Sequence, residues 1–239
     1  MERKMEQDKK LEEIVGFDEL TSKVRDVPES PTFRLLKTSL HKVASDYYHS
    51  VNGDSEDSKT KELVLNETRA RELAGKLWDT AAEHVAVNYL KLKADKIKEL
   101  KEGKDPASGK SLWEAFIRDQ LGIDKETLYD AIKTRGIVKP EEIESLIKPI
   151  YDAHASTVTT KIITSKIDSL EKAQALLNYI ADLKNANPKT YEGVTVPKTI
   201  KSVEESQRLY ASVIQLLSKD YKPNIAETVK KQEPVYKKQ

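Results

Sequence analysis

Few residues in this 239-residue chain have the types needed for catalysis or metal binding. The absence of cysteine excludes disulfides, thiol nucleophiles and cysteine metal sites. His84 and His154 lie on or beside the apolar stripes of predicted helices, a place where helical bundles can build metal sites. Because no Glu-x-x-His pair accompanies them, we interpret both as buried side chains satisfied by hydrogen bonds. The sequence therefore predicts no catalytic residue, no metal site, no cofactor and no enzyme activity.

The loop GKDPASGKS ends like a phosphate-binding loop. A phosphate-binding loop has four residues between its glycines and a buried strand before it. Here five residues separate Gly103 from Gly109, and the segment before them is a charged helix, KIKELKE. We therefore interpret residues 103–111 as a loop between two helices.

The stretch from Leu112 to Lys139 has the spacing of two short helices joined by a tight turn. Gly122 would supply the positive φ of that turn, and Asp124 would cap the second helix. Apolar residues stand where the small shared core of a helix-turn-helix needs them, at Ile117, Leu121, Ile123, Leu128, Ala131 and Ile132. The sequence thus predicts a helix-turn-helix-like hairpin at 112–138.

Within residues 113–138, the 17-residue segment LGIDKETLYDAIKTRGI resembles the DNA-binding end of Fis-type regulators. In those proteins a similar Gly-Ile turn leads into a Thr-Leu-Tyr recognition helix. The resemblance is local and does not cover the whole chain. Carried over by position, it implies contact with double-stranded DNA by Lys125, Glu126, Thr127, Tyr129, Lys133 and Arg135.

Two features of the same stretch support another interpretation, a helical hairpin packed in an all-α core. Arg118 stands four residues before Gly122, where such motifs usually have Ala for close helix contact. The acidic residues Asp124, Glu126 and Asp130 also balance the basic residues of the second helix. A helix that reads a DNA groove normally carries excess positive charge towards the phosphates.

The elements that must position these residues are helices. Apolar residues make up 38% of the chain and charged residues 34%, with only 8 glycines, a composition typical of long polar-faced helices. One helical stretch is predicted from about Ser58 to Glu102 and another from Pro140 towards Asn185. In the second, Pro149 should kink or split the helix, and the β-branched run 157–160 should weaken it. The predicted fold is all-α, an elongated bundle built on these two long helices with the 112–138 hairpin inserted between them.

Helix starts are indicated at two further places. Ser30 and Pro31 have the types of an N-cap and a first helical residue, and Ser202 and Glu205 have the spacing of a capping box. The helix after Pro31 has one apolar stripe, formed by Phe33, Leu36, Leu40, Val43, Tyr47 and Val51.

Three regions follow from this reading of the chain: a charged N-terminal helical arm at 1–30, a helical domain at 31–219 and a flexible basic tail at 220–239. Two interpretations of the tail stay open: a solvated, disordered end, or an arm that orders as it docks on a partner, either nucleic acid or a neighbouring subunit. The tail residues predicted to bind this partner are Lys230, Lys231, Tyr236, Lys237 and Lys238.

Lys plus Arg (41) nearly equals Asp plus Glu (40), so the whole chain has no cationic excess that would attract nucleic acid. The N-terminal residues do not read as a signal peptide, and no run is apolar enough for a membrane span. We expect a location inside the cell, or in a particle assembled there, with no membrane partner. The lack of cysteine and the Lys/Glu-rich composition also fit a thermophilic source.

The function predicted first is that of a non-catalytic helical interaction or assembly protein, self-associating into a homo-oligomer or a larger protein assembly. The alternative is a DNA-binding protein that uses the helix-turn-helix at 113–138.

Overall fold

The computed structural model describes residues 17–53, 61–186, 188 and 194–220. The α-helices are α1 (Phe17–Asp26), α2 (Pro31–Asn52), α3 (Glu67–His84), α4 (Ala94–Glu102), α5 (Leu112–Leu121), α6 (Lys125–Lys133), α7 (Glu144–Thr164), α8 (Leu170–Ala186) and α9 (Val203–Asp220). A π-helix (Val85–Tyr89), a 3-10 helix (Pro140–Glu142) and the strands β1 (Leu63–Val64) and β2 (Ile137–Val138) complete the secondary structure of these residues.

The predicted all-α fold is confirmed. About 73% of the described residues are helical, and their only sheet is the antiparallel pair of β1 and β2. No helix in the described part of the chain is long and apolar enough to cross a membrane. Residues 1–16 of the N-terminal arm predicted at 1–30, and residues 221–239 of the tail predicted at 220–239, lie outside the described residues.

The chain divides into two compact units. The central unit is Val27–Val158, and the flanking unit combines Met1–Asp26 with Thr159–Gln239. In the central unit one apolar core includes Leu36, Leu40, Tyr48, Leu63, Leu73, Leu77, Trp78, Ile117, Leu128, Val138, Leu146 and Ile150. In the flanking unit a separate core includes Leu20, Val24, Ile163, Ile167, Leu176, Ile180, Tyr210, Val213 and Ile214.

The predicted helix starts are confirmed. The Ser30 hydroxyl accepts a hydrogen bond of 3.4 Å from the third residue of α2, and Pro31 is the first residue of that helix. The Ser202 hydroxyl accepts one of 3.2 Å from the Glu205 amide, while the Glu205 carboxylate accepts one of 2.8 Å from the Lys201 amide. In the stripe of α2, Val43 and Val51 are half-buried, and the buried members are Phe33, Leu36, Leu40 and Tyr47.

The prediction of a single long helix from about Ser58 to Glu102 is wrong, because this stretch contains α3, the π-helix and α4 as separate elements. Asn66 starts α3 as an N-cap, because its side chain accepts a hydrogen bond of 2.9 Å from the Arg69 amide. Beyond α3 the π-helix ends at Tyr89, and two residues later Lys91 has a positive φ of 56°. The Leu92 amide donates to the Ala86 carbonyl across this residue at 2.9 Å, a bond of the kind that closes helix C-termini. Helix α4 is therefore a separate element.

The second long helix is also two helices, but its break is not where the sequence indicates. Helix α7 continues through Pro149 and through the β-branched run, and it ends at Thr164. There the Thr164 and Ser165 hydroxyls donate to backbone carbonyls of the preceding turn. The Gln207 side chain of α9 donates to the Thr164 and Ile167 carbonyls at 3.3 and 2.8 Å. These bonds satisfy carbonyl groups that a continuing helix would have used.

Candidate functional site

The hairpin of α5 and α6 has the backbone that its sequence predicts. Helix α5 ends at Gly122, which is left-handed with φ 75° and ψ 8°. Asp124 caps α6, since its carboxylate accepts a hydrogen bond of 2.7 Å from the Thr127 amide. This bond stabilises the charged form and lowers the pKa of Asp124. Of the predicted core residues Ala131 is half-buried, and the buried ones are Ile117, Leu121, Ile123, Leu128 and Ile132.

Gly122 also lies where the hairpin meets α7. A Cβ atom at this position would come within 2.9 Å of the Ala153 carbonyl oxygen and would overlap the Thr157 hydroxyl. The His154 imidazole, one residue along α7, donates from Nδ1 to the Gln120 carbonyl at 2.8 Å. The turn therefore needs glycine for its backbone conformation and for this close approach.

Helix α6, the predicted recognition helix, packs against α3. Leu128 and Ile132 are fully buried, and the Tyr129 side chain is only 4% exposed. The Trp78 indole of α3 donates a hydrogen bond of 3.0 Å to the Ile123 carbonyl in the turn. These contacts bury one face of α6 in the core of the central unit.

Lys125, at the start of α6, is held by two carboxylates. Its ammonium lies 3.0 Å from Asp79 of α3 and 3.3 Å from Glu114 of α5, and 4.8 Å from the centre of the Trp78 ring. Partial burial lowers the pKa of Lys125, but the two carboxylates raise it by more. Lys125 therefore joins α3, α5 and α6.

Two further charged residues of α6, Glu126 and Lys133, pair with α3. The Arg71 guanidinium binds both carboxylate oxygens of Glu126, at 3.1 and 3.5 Å, and lies 4.1 Å from the centre of the Tyr129 ring. The Tyr129 hydroxyl donates to Glu67 at 3.3 Å, and the Lys133 ammonium lies 3.9 Å from the same carboxylate. Cation–π contact and ion pairing thus cover the ring of Tyr129.

The six residues implied by the resemblance are placed in two ways. Lys125, Glu126, Tyr129 and Lys133 make the contacts with α3 or α5 described above. Thr127 and Arg135 are exposed; the Thr127 amide donates to the Asp124 cap, and Arg135 forms no ion pair within the described part of the chain. DNA contact by these residues stays a prediction. The predicted partner-binding lysines and tyrosine of the tail, at 230–238, lie outside the described residues.

A surface that sequence reasoning missed is the ribbon formed by β1 and β2. Leu63 pairs with Val138 and Val64 with Ile137 in an antiparallel register. Side chains of directly paired residues point to the same face of a ribbon. The first pair is buried in the core, whereas Val64 is 49% exposed and Ile137 53% exposed. Both faces of this ribbon are therefore apolar, and one of them is open.

The ribbon is anchored to its neighbours by hydrogen bonds to β1 and the residues beside it. The Tyr48 hydroxyl of α2 donates to the Lys61 carbonyl at 2.5 Å, and the Arg69 guanidinium donates to the Val64 carbonyl at 3.2 Å. The Leu65 amide donates to the Gly136 carbonyl at 2.8 Å, which extends the pairing by one residue. The apolar pair is thus held in a fixed position.

A shallow groove of about 550 Å³ lies between α2 and α3. Tyr47 lines it, and its hydroxyl donates to the Glu72 carboxylate at 3.0 Å. Burial, together with this carboxylate, raises the pKa of Tyr47 to about 12, so the phenol is held protonated. The lining residues are Val43, Asp46, Tyr47, Ser50, Lys76, Asp79 and Thr80. They do not form a nucleophile–base pair.

His84 and His154 are buried and bonded, as their apolar setting predicts. His84 donates from Nε2 to the Thr32 carbonyl at 3.0 Å and accepts at Nδ1 from the Asn88 amide at 3.3 Å. Burial is the main cause of the lowered pKa of His84, and the ring is held neutral. The His154 ring stacks on Phe33 with 4.9 Å between centroids. Each histidine is bonded to a backbone carbonyl.

The GKDPASGKS segment is a closed loop between α4 and α5, as predicted. One Asp105 carboxylate oxygen accepts from the Ala107 amide at 2.9 Å and from the Ser108 amide at 2.7 Å. The Gly109 amide donates to the Asp105 carbonyl at 2.8 Å. A phosphate cradle needs such amides to be free, and here they are used within the loop.

No group of three or more His, Asp and Glu among the described residues could hold a metal ion. No model of a known protein family matches the sequence, and neither a curated protein nor a solved structure matches the chain. The candidates for function are therefore the two surfaces described above, the hairpin of α5 and α6 and the open face of the ribbon.

Proposed function

We propose that this chain is a non-catalytic interaction and assembly protein that associates with further copies of itself. The observation that carries the proposal is the open apolar face of the β1–β2 ribbon. Antiparallel ribbons with one face in a core normally present polar residues on the other. Here Val64 and Ile137 are half exposed and side by side. An open apolar pair of this kind is stabilised when a partner covers it.

The use of the polar side chains supports the same proposal. Three side chains of types that could act in catalysis make structural contacts instead. These are His84, Lys125 and Asp105, which bind a backbone carbonyl, a carboxylate and loop amides. Tyr47, in the groove, is a protonated hydrogen-bond donor rather than a base. This arrangement supports a role in binding rather than in bond making.

Self-association is tested by light scattering of the full chain after size-exclusion chromatography over a wide range of protein concentrations. We expect the weight-average mass to rise above that of the 27.1 kDa monomer as the concentration increases. A constant monomer mass at every concentration would contradict the proposal.

A second candidate function is binding of duplex DNA through the hairpin. The left-handed Gly122 and the Asp124 cap favour it, because they give α5 and α6 the backbone of a helix-turn-helix. Of the six predicted contact residues, Glu126, Thr127, Lys133 and Arg135 are exposed, although Glu126 and Lys133 pair with α3. Contact with bases through the buried Tyr129 would require α6 to leave α3.

The DNA-binding candidate is tested by a gel-shift titration at several salt concentrations. Binding by the hairpin should weaken when Arg135 is replaced, Arg135→Glu, and the salt slope should fall by about one. Lys93→Glu, at an exposed lysine outside the motif, is the matched control and should change binding less. Equal effects of the two substitutions would rule out specific use of the hairpin.

We also propose that the protein acts inside the cell or in a particle assembled there. The absence of cysteine supports a reducing compartment. The Lys- and Glu-rich composition together with the missing cysteine is also compatible with a hot environment.

A further inference from the structure

We propose that the open face of the β1–β2 ribbon is the centre of a two-fold interface between two copies of this chain. This inference rests on the proposed self-association and specifies the surface and the symmetry that it uses. The surface is the outward face of residues 62–64 and 137–139, and we call it the ribbon face.

The ribbon face carries charge beside its apolar pair. Side chains alternate along a strand, so the residues two positions from Val64 and Ile137 share their face. On the side away from the left-handed Gly136, continuing the antiparallel register by one residue beyond Leu63 and Val138 places Glu62 opposite Lys139, and both residues are exposed. Neither forms an ion pair within the described residues. The face thus has an apolar pair at one end and an acid opposite a base at the other.

This arrangement is complementary to itself under one particular two-fold axis. Consider a two-fold axis that runs parallel to the strands, midway between two stacked ribbons. It places β1 of one copy over β2 of the other and keeps each residue at the same position along the strand direction. Glu62 then faces Lys139 of the second copy, and Val64 faces Ile137 of the second copy. Two reciprocal ion pairs form beside an apolar centre, as an isologous contact requires.

The other in-plane axis does not give this match. An axis across the strands places β1 over β1 and β2 over β2. Glu62 then lies over the strand that carries Glu62 in the second copy, and it cannot face Lys139. The charges therefore select the parallel axis, and a second copy with this orientation is the occupant that the face fits.

The size of the face sets the strength of the contact. A stable dimer usually buries about 800 Å² on each partner, and four side chains supply only part of that area. We therefore expect a reversible association that depends on protein concentration, with the ribbon at its centre.

Sedimentation equilibrium of the full chain tests the contribution of the apolar pair, Val64 and Ile137, to the interface. The double variant Val64→Thr with Ile137→Thr keeps β-branched residues in both strands and should weaken the dimer by about tenfold or more. Val87→Thr is the matched control, because Val87 is 50% exposed but lies in the π-helix, and it should leave the dimer unchanged.

The ion pairs between Glu62 of one copy and Lys139 of the other are tested by mixing two variants. Glu62→Lys makes both charges of the face positive, and Lys139→Glu makes both negative. Each variant alone should stay monomeric at concentrations where the wild type associates. An equimolar mixture should recover the dimer, because every pair across the interface is then attractive. Since these positions are exposed, this readout remains available if the threonine variant loses its fold.

The outcomes separate this inference from the proposed function. Self-association that is unchanged in all of these variants overturns the ribbon interface and leaves the assembly function standing on another surface. A wild-type chain that stays monomeric at every concentration overturns both. Loss of association in each charge variant without recovery in the mixture also overturns the two-fold pairing.

Discussion

Gly122 meets two constraints at once, a left-handed backbone with φ 75° and the close approach of α7. Gly122→Ala should lower the free energy of unfolding by about 2–4 kcal/mol, because both strain and overlap arise. Gly136→Ala is the matched control. Gly136 has a similar φ of 67° but open space around its Cβ position, so only the backbone cost of about 1 kcal/mol is expected. Equal losses in urea unfolding would contradict the close approach at Gly122.

Lys91 has a conformation that glycine adopts more easily, with a φ of 56°. Lys91→Gly should raise the free energy of unfolding by about 0.5–1 kcal/mol, since the left-handed strain is removed. Lys93 has an ordinary φ of −75°, so Lys93→Gly should either leave the free energy of unfolding unchanged or lower it by up to about 1 kcal/mol. Chemical denaturation of both variants checks this difference. A loss of stability in Lys91→Gly would show that the lysine side chain matters more than its backbone.

His84 makes stability depend on pH. Because its pKa in the folded chain is lowered, chiefly by burial, the unfolded chain takes up a proton first as the pH falls below about 6.5. The contribution of the neutral ring is therefore present above that pH and is lost as the pH falls towards the folded pKa. His84→Gln should show a smaller loss of unfolding free energy than the wild type between about pH 7.5 and pH 5.5. The same loss in both proteins would contradict this assignment.

At the scale of elements, the contact between α3 and α6 determines what the hairpin can do. Leu128 is fully buried in this contact. The substitution Leu128→Ala should therefore lower the free energy of unfolding by about 2–5 kcal/mol. Asp130→Ala, on the exposed side of the same helix, should change stability by no more than about 0.5 kcal/mol. Urea unfolding of the two variants measures the difference. A small effect of Leu128→Ala would mean that α6 is held loosely enough to leave α3.

Local signals predict the beginnings of α2, α6 and α9. Ser30, Asp124 and Ser202 are recognisable N-caps, because a short polar side chain before an apolar helix has one favourable use there. The ends of elements depend on distant contacts. Gln207 of α9 satisfies the Thr164 carbonyl at the end of α7, and no pattern within α7 indicates that partner.

The two candidate surfaces also differ in whether local sequence or contacts between distant residues determine them. The hairpin is local, so its turn and core can be predicted from spacing within one stretch. The ribbon pairs Val64 with Ile137, two residues far apart in the sequence, each in a strand of only two residues. Apolar runs this short do not by themselves indicate a strand, its register or which side chain is left open. The packing of Tyr129 on Arg71 is likewise visible only in three dimensions.

At the scale of the molecule, each unit has its own apolar core, and both candidate surfaces belong to the central unit. The hairpin directs four of its six predicted contact residues towards its own neighbours. The ribbon directs an apolar pair and two charges towards solvent. This contrast favours assembly over DNA reading as the function of the central unit.

Sedimentation equilibrium of the full chain, with and without a labelled duplex DNA, tests this choice most directly. We expect the protein to form a reversible dimer without DNA, and we expect the duplex to leave that equilibrium unchanged at physiological salt. A protein that is monomeric at every concentration and whose weight-average mass rises only when duplex DNA is added would contradict the account.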